Sequence, residues 1–316
     1  MSAPLVEVVR SGFREGVHHG SVVLLGPGGE VVHAVGEVAA PMFPRSSNKP
    51  LQALGMLLHG LQPADDVELA LICASHNGEP EHVEVAQRIL AGCGLDETDL
   101  SCPEALPLHE PSARSVPAPR RILMNCSGKH AGMLATCVRA GWPTHGYPDP
   151  EHPLQRAIAA TLSDAAGEPI TATGIDGCGA PLFALSLTGL ARAFATLTTA
   201  AAGTAQRRVA DAMRANPFMV AGTGREDTRL MTAVAGVMCK AGAEGVHAAA
   251  LPDGRAVALK IDDGANRARL PVMVGALRAL GVTEAGLAEL AEEPVFGGGR
   301  VVGSARLIKG LFNGAG

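Results

Sequence analysis

The sequence predicts an α+β fold, in which an antiparallel sheet is built from both termini with a helical region inserted between them. Three observations predict it. β-branched runs crowd residues 1–45 and return over 245–316, helical periodicity fills roughly residues 50–240, and no regular strand–helix alternation marks a parallel sheet. The 316 residues are read as a single domain, 1–316.

The elements follow in order. "PLVEVVRSG" and "SVVLLG" read as strands, "PGG" at 27–29 as a turn, and "EVVHAVGEV" as a continuation of the strand pattern. In "FPRSSNKPLQALGMLLHGL", Pro50 lacks an N–H and is tolerated only in a first turn. A helix containing it therefore starts near Ser46 or Ser47 and runs to Leu61. "VELALICAS", residues 67–75, is an apolar run for which strand and helix both stay open. Helices are expected over 81–90, 129–140 and 154–166, and again in "TAQRRVADAMRANP", which closes on a proline. "TTAAAGTAQ" near Thr198 is the one stretch with linker character. Two runs around Pro252-Asp253-Gly254 signal a hairpin, and helices over 266–280 and 283–292 precede a last strand in "GGGRVVGSARL".

Composition narrows the function. Hydrophobic residues make up 47% of the chain but aromatics only 3%, so the core must be built from Ala, Val and Leu. The net charge of -5 is mild and no Lys/Arg run is present, which points away from nucleic acid and membrane surfaces as partners. The start carries no basic segment followed by an apolar one, and no apolar stretch is long enough to span a bilayer. The expectation is a soluble cytoplasmic protein. Seven scattered cysteines, an odd number without a secretion signal, argue against a disulfide framework and for buried thiols.

Ser46 and Lys49 are neighbours on one helical face, at the end where unpaired amides favour negative charge. Two readings are open: a helix cap with an adjacent lysine, or a serine nucleophile with a lysine base. A basic lysine must fall from its ordinary pKa of about 10.4 to near 7, on the order of 4 kcal/mol, which burial or a second cation supplies. "CASHNGEP" adds Ser75-His76-Asn77, and "AVALKIDDG" places Lys260 on the second strand of the expected hairpin. Ser75 and Lys260 make a candidate second hydroxyl–amine pair. The order S-x-x-K, S-x-N, strand lysine resembles the superfamily of serine β-lactamases, penicillin-binding proteins and glutaminases. The third motif is Lys260-Ile261-Asp262-Asp263-Gly264 rather than K-T-G, which points away from a β-lactam or peptidoglycan substrate.

"LMNCSGKHAGML" and "TGIDGCGAP" form a second constellation. Cys126 and Lys129 share the i, i+3 spacing, and Cys178 lies in a glycine-rich loop. Buried thiols are one reading. The other is a metal site, because thiolates are good zinc ligands and a neutral amine can supply a third donor.

Together these segments, with "PRSSNKPLQA", "GTGREDTRLM" and "LKIDDGANRA", resemble the asparaginase II family, the zinc-containing, rhizobial-type L-asparaginases, over nearly the whole chain. The resemblance implies a serine β-lactamase/glutaminase-like fold, a homodimer, and hydrolysis of L-asparagine. It also implies Ser46 as nucleophile with Lys49 as its base, Ser75 with Lys260 as a proton relay, and Cys126, Lys129 and Cys178 as zinc ligands. Asp176 would orient the loop or a ligand, His130 would line the pocket, and Arg45, Lys49, Lys260 and Arg225 are candidate receptors of the substrate carboxylate, with Arg225 alternatively paired to Glu226 or Asp227. Two rival readings remain: the same apparatus turned on glutamine or another amide or ester, and a zinc-binding protein without catalysis.

Overall fold

A computed structural model describes residues 2–313. The chain begins with β1 (Ala3–Arg10), β2 (Phe13–Leu25), β3 (Val31–Val35) and β4 (Pro41–Met42), then α1 (Lys49–Leu58), α2 (Asp66–Ile72) and α3 (Pro80–Ala91). It continues through α4 (Glu110–Ser115), α5 (Ser127–Ala140), α6 (Pro153–Ala166), β5 (Thr173–Ile175), β6 (Pro181–Phe183), β7 (Leu185–Ser186) and α7 (Leu187–Thr199). Next come α8 (Ala205–Ala215), α9 (Pro217–Val220), α10 (Glu226–Ala233), β8 (Met238–Ala241), β9 (Val246–Ala250) and β10 (Ala256–Ile261). The last elements are α11 (Arg269–Ala279), β11 (Glu292–Gly297) and β12 (Arg300–Leu307). Two compact units result. The first runs to Ser47, adds Leu185–Thr199 and resumes at Arg229; the second comprises Asn48–Ala184 and Ala200–Thr228.

The first unit is the sheet. Its strands lie in the order β11-β12-β1-β2-β10-β9-β8, with β3 also paired to β2, and every pairing is antiparallel. The alternating β-branched runs seen early in the sequence become β1 and β2, and β1 is zipped to the late strand β12 with Val6 opposite Leu307. The α+β fold with a sheet drawn from both ends of the chain is thus the observed one. On β10, Lys260 stands opposite Ser21 of β2 and Val246 of β9. Strands β8 and β9 are buried along their length, and α7 packs on β2, β9 and β10 while α11 packs on β10, β11 and β12. Short side chains such as the Ala248-Ala249-Ala250 run fill this layer, which is how a core with so few rings closes.

Two parts of the sheet differ from the sequence reading. The sheet starts at Met238 rather than near residue 245, because "MCKA" carries a lysine that reads as polar yet is buried, its Nζ donating to the Ala241 carbonyl at 2.7 Å. The helix expected over 283–292 is only a 3₁₀ stretch, Ala285–Leu290, and the chain then forms β11. Glu292, Glu293 and Pro294 are poor strand formers, but β11 is an edge strand, where a proline costs no ladder hydrogen bond.

The second unit is helical. α1 packs on α5, α6 and α8, α2 on α5 and α8, and α3 on α5. The open question over residues 67–75 resolves as one short helix followed by irregular chain. Asp65 caps α2 by accepting from the Glu68 N–H at 2.8 Å. Pro50 sits in the first turn of α1 as expected, but that helix begins at Lys49, after a 3₁₀ turn over Arg45–Asn48, and ends at Leu58. On α5, glycine permits a close approach. A Cβ on Gly128 would meet the Leu71 carbonyl oxygen at 2.6 Å, and one on Gly132 would meet Ile72 Cγ2 at 2.8 Å.

Candidate active site

The close approach of α5 to α2 brings three stretches of the second unit together: the first residue of α1, the chain leaving α2, and the N-terminus of α5. Lys49 is 1% exposed. Its Nζ donates to the Ala74 carbonyl, to Ser75 Oγ at 3.0 Å and to Cys126 Sγ at 3.1 Å. These contacts constrain its chemistry. The Ala74 carbonyl can only accept, so it claims an N–H whether the amine is charged or neutral; a neutral amine can then present its lone pair to a neighbouring O–H or S–H.

Ser75 is fixed by a backbone bond from its N–H to the Val220 carbonyl at 3.0 Å. The next residue, His76, is fully buried, a role the sequence reading did not assign. Its Nδ1 accepts from the Gly78 N–H at 3.1 Å, so the proton lies on Nε2, which donates to Ser127 Oγ at 3.0 Å. Burial pushes the His76 pKa well below the ordinary range, helped by the positive fields of His82, Lys49 and Arg225. The imidazole is neutral and serves as a strut between Ser75-His76-Asn77 and α5.

Beyond Lys49 lie the thiols. Cys126 precedes α5 and its Sγ donates to Asn125 Oδ1 at 3.1 Å, while the β5–β6 connection carries Cys178. Lys129 Nζ donates to Cys178 Sγ at 3.0 Å, and Asp176 Oδ2 stands 3.9 Å behind the same sulphur. Cys178 is held low by the neighbouring Cys126 and by the charge of Lys129, against burial. Cys126 is correspondingly pushed well up by Cys178 and by burial. Burial opposes the charge on Lys129, but Cys178 and Cys126 outweigh it and hold the amine protonated. The Nδ1 of the buried His130 meets the hydroxyl of the buried Tyr147 at 2.7 Å. Two buried sulphurs and a buried amine fit a thiophilic divalent cation, which would displace the thiol and lysine protons.

The other expected residues lie as follows. Ser46 and Lys260 belong to the first unit, Lys49 and Ser75 to the second. Ser46 follows Arg45, which holds a left-handed φ of 53°, a strained conformation for a residue with a side chain. Arg45 Nη1 is 3.5 Å from Glu244 Oε1. Lys260 Nζ donates to the Glu244 carbonyl at 2.7 Å. Arg225 bonds Asn77 Oδ1 at 3.0 Å rather than Glu226 or Asp227. The cysteines of the chain are all free thiols. No helix among the described residues is long and apolar enough to cross a membrane.

Comparison with known proteins adds the family. No curated protein matches the chain. Among solved structures it is similar to the native form of Mglu, at 14% identity and a TM-score of 0.43, over 82% of this chain and 62% of that one, so it spans under two thirds of Mglu's length. It is also similar to a β-lactamase from Mycobacterium bovis, at 14% identity and a TM-score of 0.45, over 86% of this chain and 95% of that one. A model of the L-asparaginase II family matches residues 6–307, nearly the whole chain and every motif above. The chain belongs to the L-asparaginase II family.

Proposed function

We propose that the protein hydrolyses the side-chain amide of L-asparagine to L-aspartate and ammonia through an ester on Ser46. The observation that carries this reading beyond the family is Lys49: a buried amine in hydrogen-bond contact with a hydroxyl and a thiol. Ser46 loses its proton to neutral Lys49 and attacks the amide carbon. Backbone N–H groups, that of Ser46 among them, stabilise the tetrahedral oxyanion. Lys49 returns the proton to the departing nitrogen, with Ser75 and Lys260 carrying it onward, and water then cleaves the aspartyl ester. Cys126, Lys129 and Cys178 would hold zinc, which when bound supplies a Lewis-acidic point for orienting the substrate. Asp176 would steady the Cys178 loop, and His130 the wall beside it. The active species would be a homodimer.

The test is ammonia release from asparagine and from glutamine by the purified enzyme and by Ser46→Ala. Asparagine turnover abolished in the folded variant supports the reading; brisk glutamine turnover with negligible asparagine turnover replaces the substrate. Elemental analysis is expected to give about one zinc per chain. Zinc retained at full content in both Cys126→Ala and Cys178→Ala would exclude the metal site. Zinc binding with no turnover of any amide or ester would leave the non-catalytic reading.

A second assignment has its own support, since Lys49 Nζ donates to Ser75 Oγ at 3.0 Å. In that version Ser75 is the nucleophile. Mass spectrometry of the trapped acyl-enzyme decides which serine carries the adduct.

A further inference from the structure

The loop at Gly222–Arg225 is joined to Asn77 by a network that the proposed reaction does not yet use. Both N–H groups of the Asn77 amide go to acceptors that cannot donate: Glu79 Oε1 at 3.0 Å and the Thr223 carbonyl at 3.1 Å. That fixes which way the amide faces and turns Oδ1 to the Arg225 guanidinium, 3.0 Å from Nη1. Glu79 in turn accepts from the Thr223 N–H at 2.8 Å on Oε1 and from the Thr223 hydroxyl at 2.7 Å on Oε2. Asn77 and Glu79 are buried, whereas Arg225 is half-buried. The loop approaches so closely that a Cβ on Gly222, at φ +112°, would lie 2.5 Å from Glu79 Oε1 and 2.7 Å from Asn77 Cβ. The network thus holds one edge of the guanidinium. Among the described residues no second side chain or carbonyl bonds the rest of it, so Nε and Nη2 are left to a planar anion. Asn77 lies two residues from Ser75, at most about 7 Å of chain.

We propose that Arg225 is the receptor for the α-carboxylate of the substrate, and that Glu79 is a positioning residue that acts on it through Asn77. This rests on the asparaginase reading above, and it chooses among the cations considered there. Glu79 does not touch substrate; it sets the amide that sets the guanidinium.

The experiment pairs calorimetric binding of L-aspartate with steady-state kinetics on asparagine and on 3-aminopropanamide, which is asparagine without its carboxylate. Arg225→Gln is expected to weaken aspartate binding and raise KM for asparagine by roughly 10- to 100-fold, leaving kcat/KM on 3-aminopropanamide unchanged. Glu79→Leu removes every acceptor and is expected to raise KM in the same way with kcat nearly kept. Glu79→Gln is expected to rescue it, because its oxygen still accepts from Asn77 and the Thr223 N–H while its amide donates to the Thr223 hydroxyl. Unchanged aspartate binding in Arg225→Gln, equal losses on both amides, or a Glu79→Gln variant as impaired as Glu79→Leu would overturn the proposal. A wild-type protein that binds aspartate through Arg225 yet releases no ammonia overturns the activity and leaves the receptor standing. Turnover of asparagine that ignores Arg225 does the reverse.

Discussion

Replacing Lys49 by Met tests the base directly, because methionine nearly conserves the volume and removes only the amine. In a site 1% exposed, the Ala74 carbonyl then loses its donor. A buried carbonyl left unsatisfied costs about 1–3 kcal/mol. The Ser75 hydroxyl is mobile enough to find another acceptor. The expected loss is therefore at most about 3 kcal/mol, against the 5–15 kcal/mol typical of a folded domain, and the variant should remain folded. Activity should fall much further. Loss of a general base costs about 10²–10⁴ in rate, and a serine without a base is a poor nucleophile at neutral pH. The assays are ammonia release and denaturant unfolding of the same preparation. A folded Lys49→Met enzyme that keeps more than about a tenth of wild-type kcat shows that the proton goes elsewhere.

Three further outcomes follow from the same contacts. Ser47→Ala should be milder than Ser46→Ala, costing about 1 kcal/mol, since the Ser47 hydroxyl only closes the turn onto the Pro44 carbonyl at 2.7 Å; comparable high activity in both variants removes Ser46 as nucleophile. Gly128→Ala puts a methyl 2.6 Å from the Leu71 carbonyl and should destabilise by about 1–3 kcal/mol with weaker zinc retention, measured by unfolding and elemental analysis; wild-type values for both would mean that the close approach is dispensable. Stability should decline in acid through the buried histidines. Burial lowers the folded pKa of His76 and of His82, so below about pH 6.5 the unfolded chain binds more protons. Their contribution is present above that pH and is lost as pH falls toward the folded values, at up to about 1.4 kcal/mol per pH unit each. His76→Gln should flatten the acid limb of a stability–pH curve, and an unchanged slope would mean that His76 is already protonated when folded.

Much of the framework was legible because it is local. Pro50 located the start of α1, the i, i+3 spacing put Cys126 and Lys129 on one turn, and Pro252-Asp253-Gly254 marked the β9–β10 hairpin. What escaped is long-range. The resemblance already groups Cys178 with Cys126 and Lys129, but nothing in the chain says that Lys49 meets Cys126 across 77 residues. Tyr147 and His76 escaped for the same reason: each is a lone ring whose partners come from elsewhere. Glu79 reads as an ordinary acid before a helix until Thr223 closes on it from 144 residues away. β8 was missed because a buried lysine in a four-residue strand looks polar.

The pairing of β2 with β10 has a consequence for biosynthesis. The ribosome makes residues 20–25 early and their partners 256–261 only after most of the protein has emerged. Until then one side of the longest strand is an open template for another nascent chain. Chaperone occupancy and inclusion-body formation should therefore track the speed of late elongation more closely than the stability of the finished enzyme.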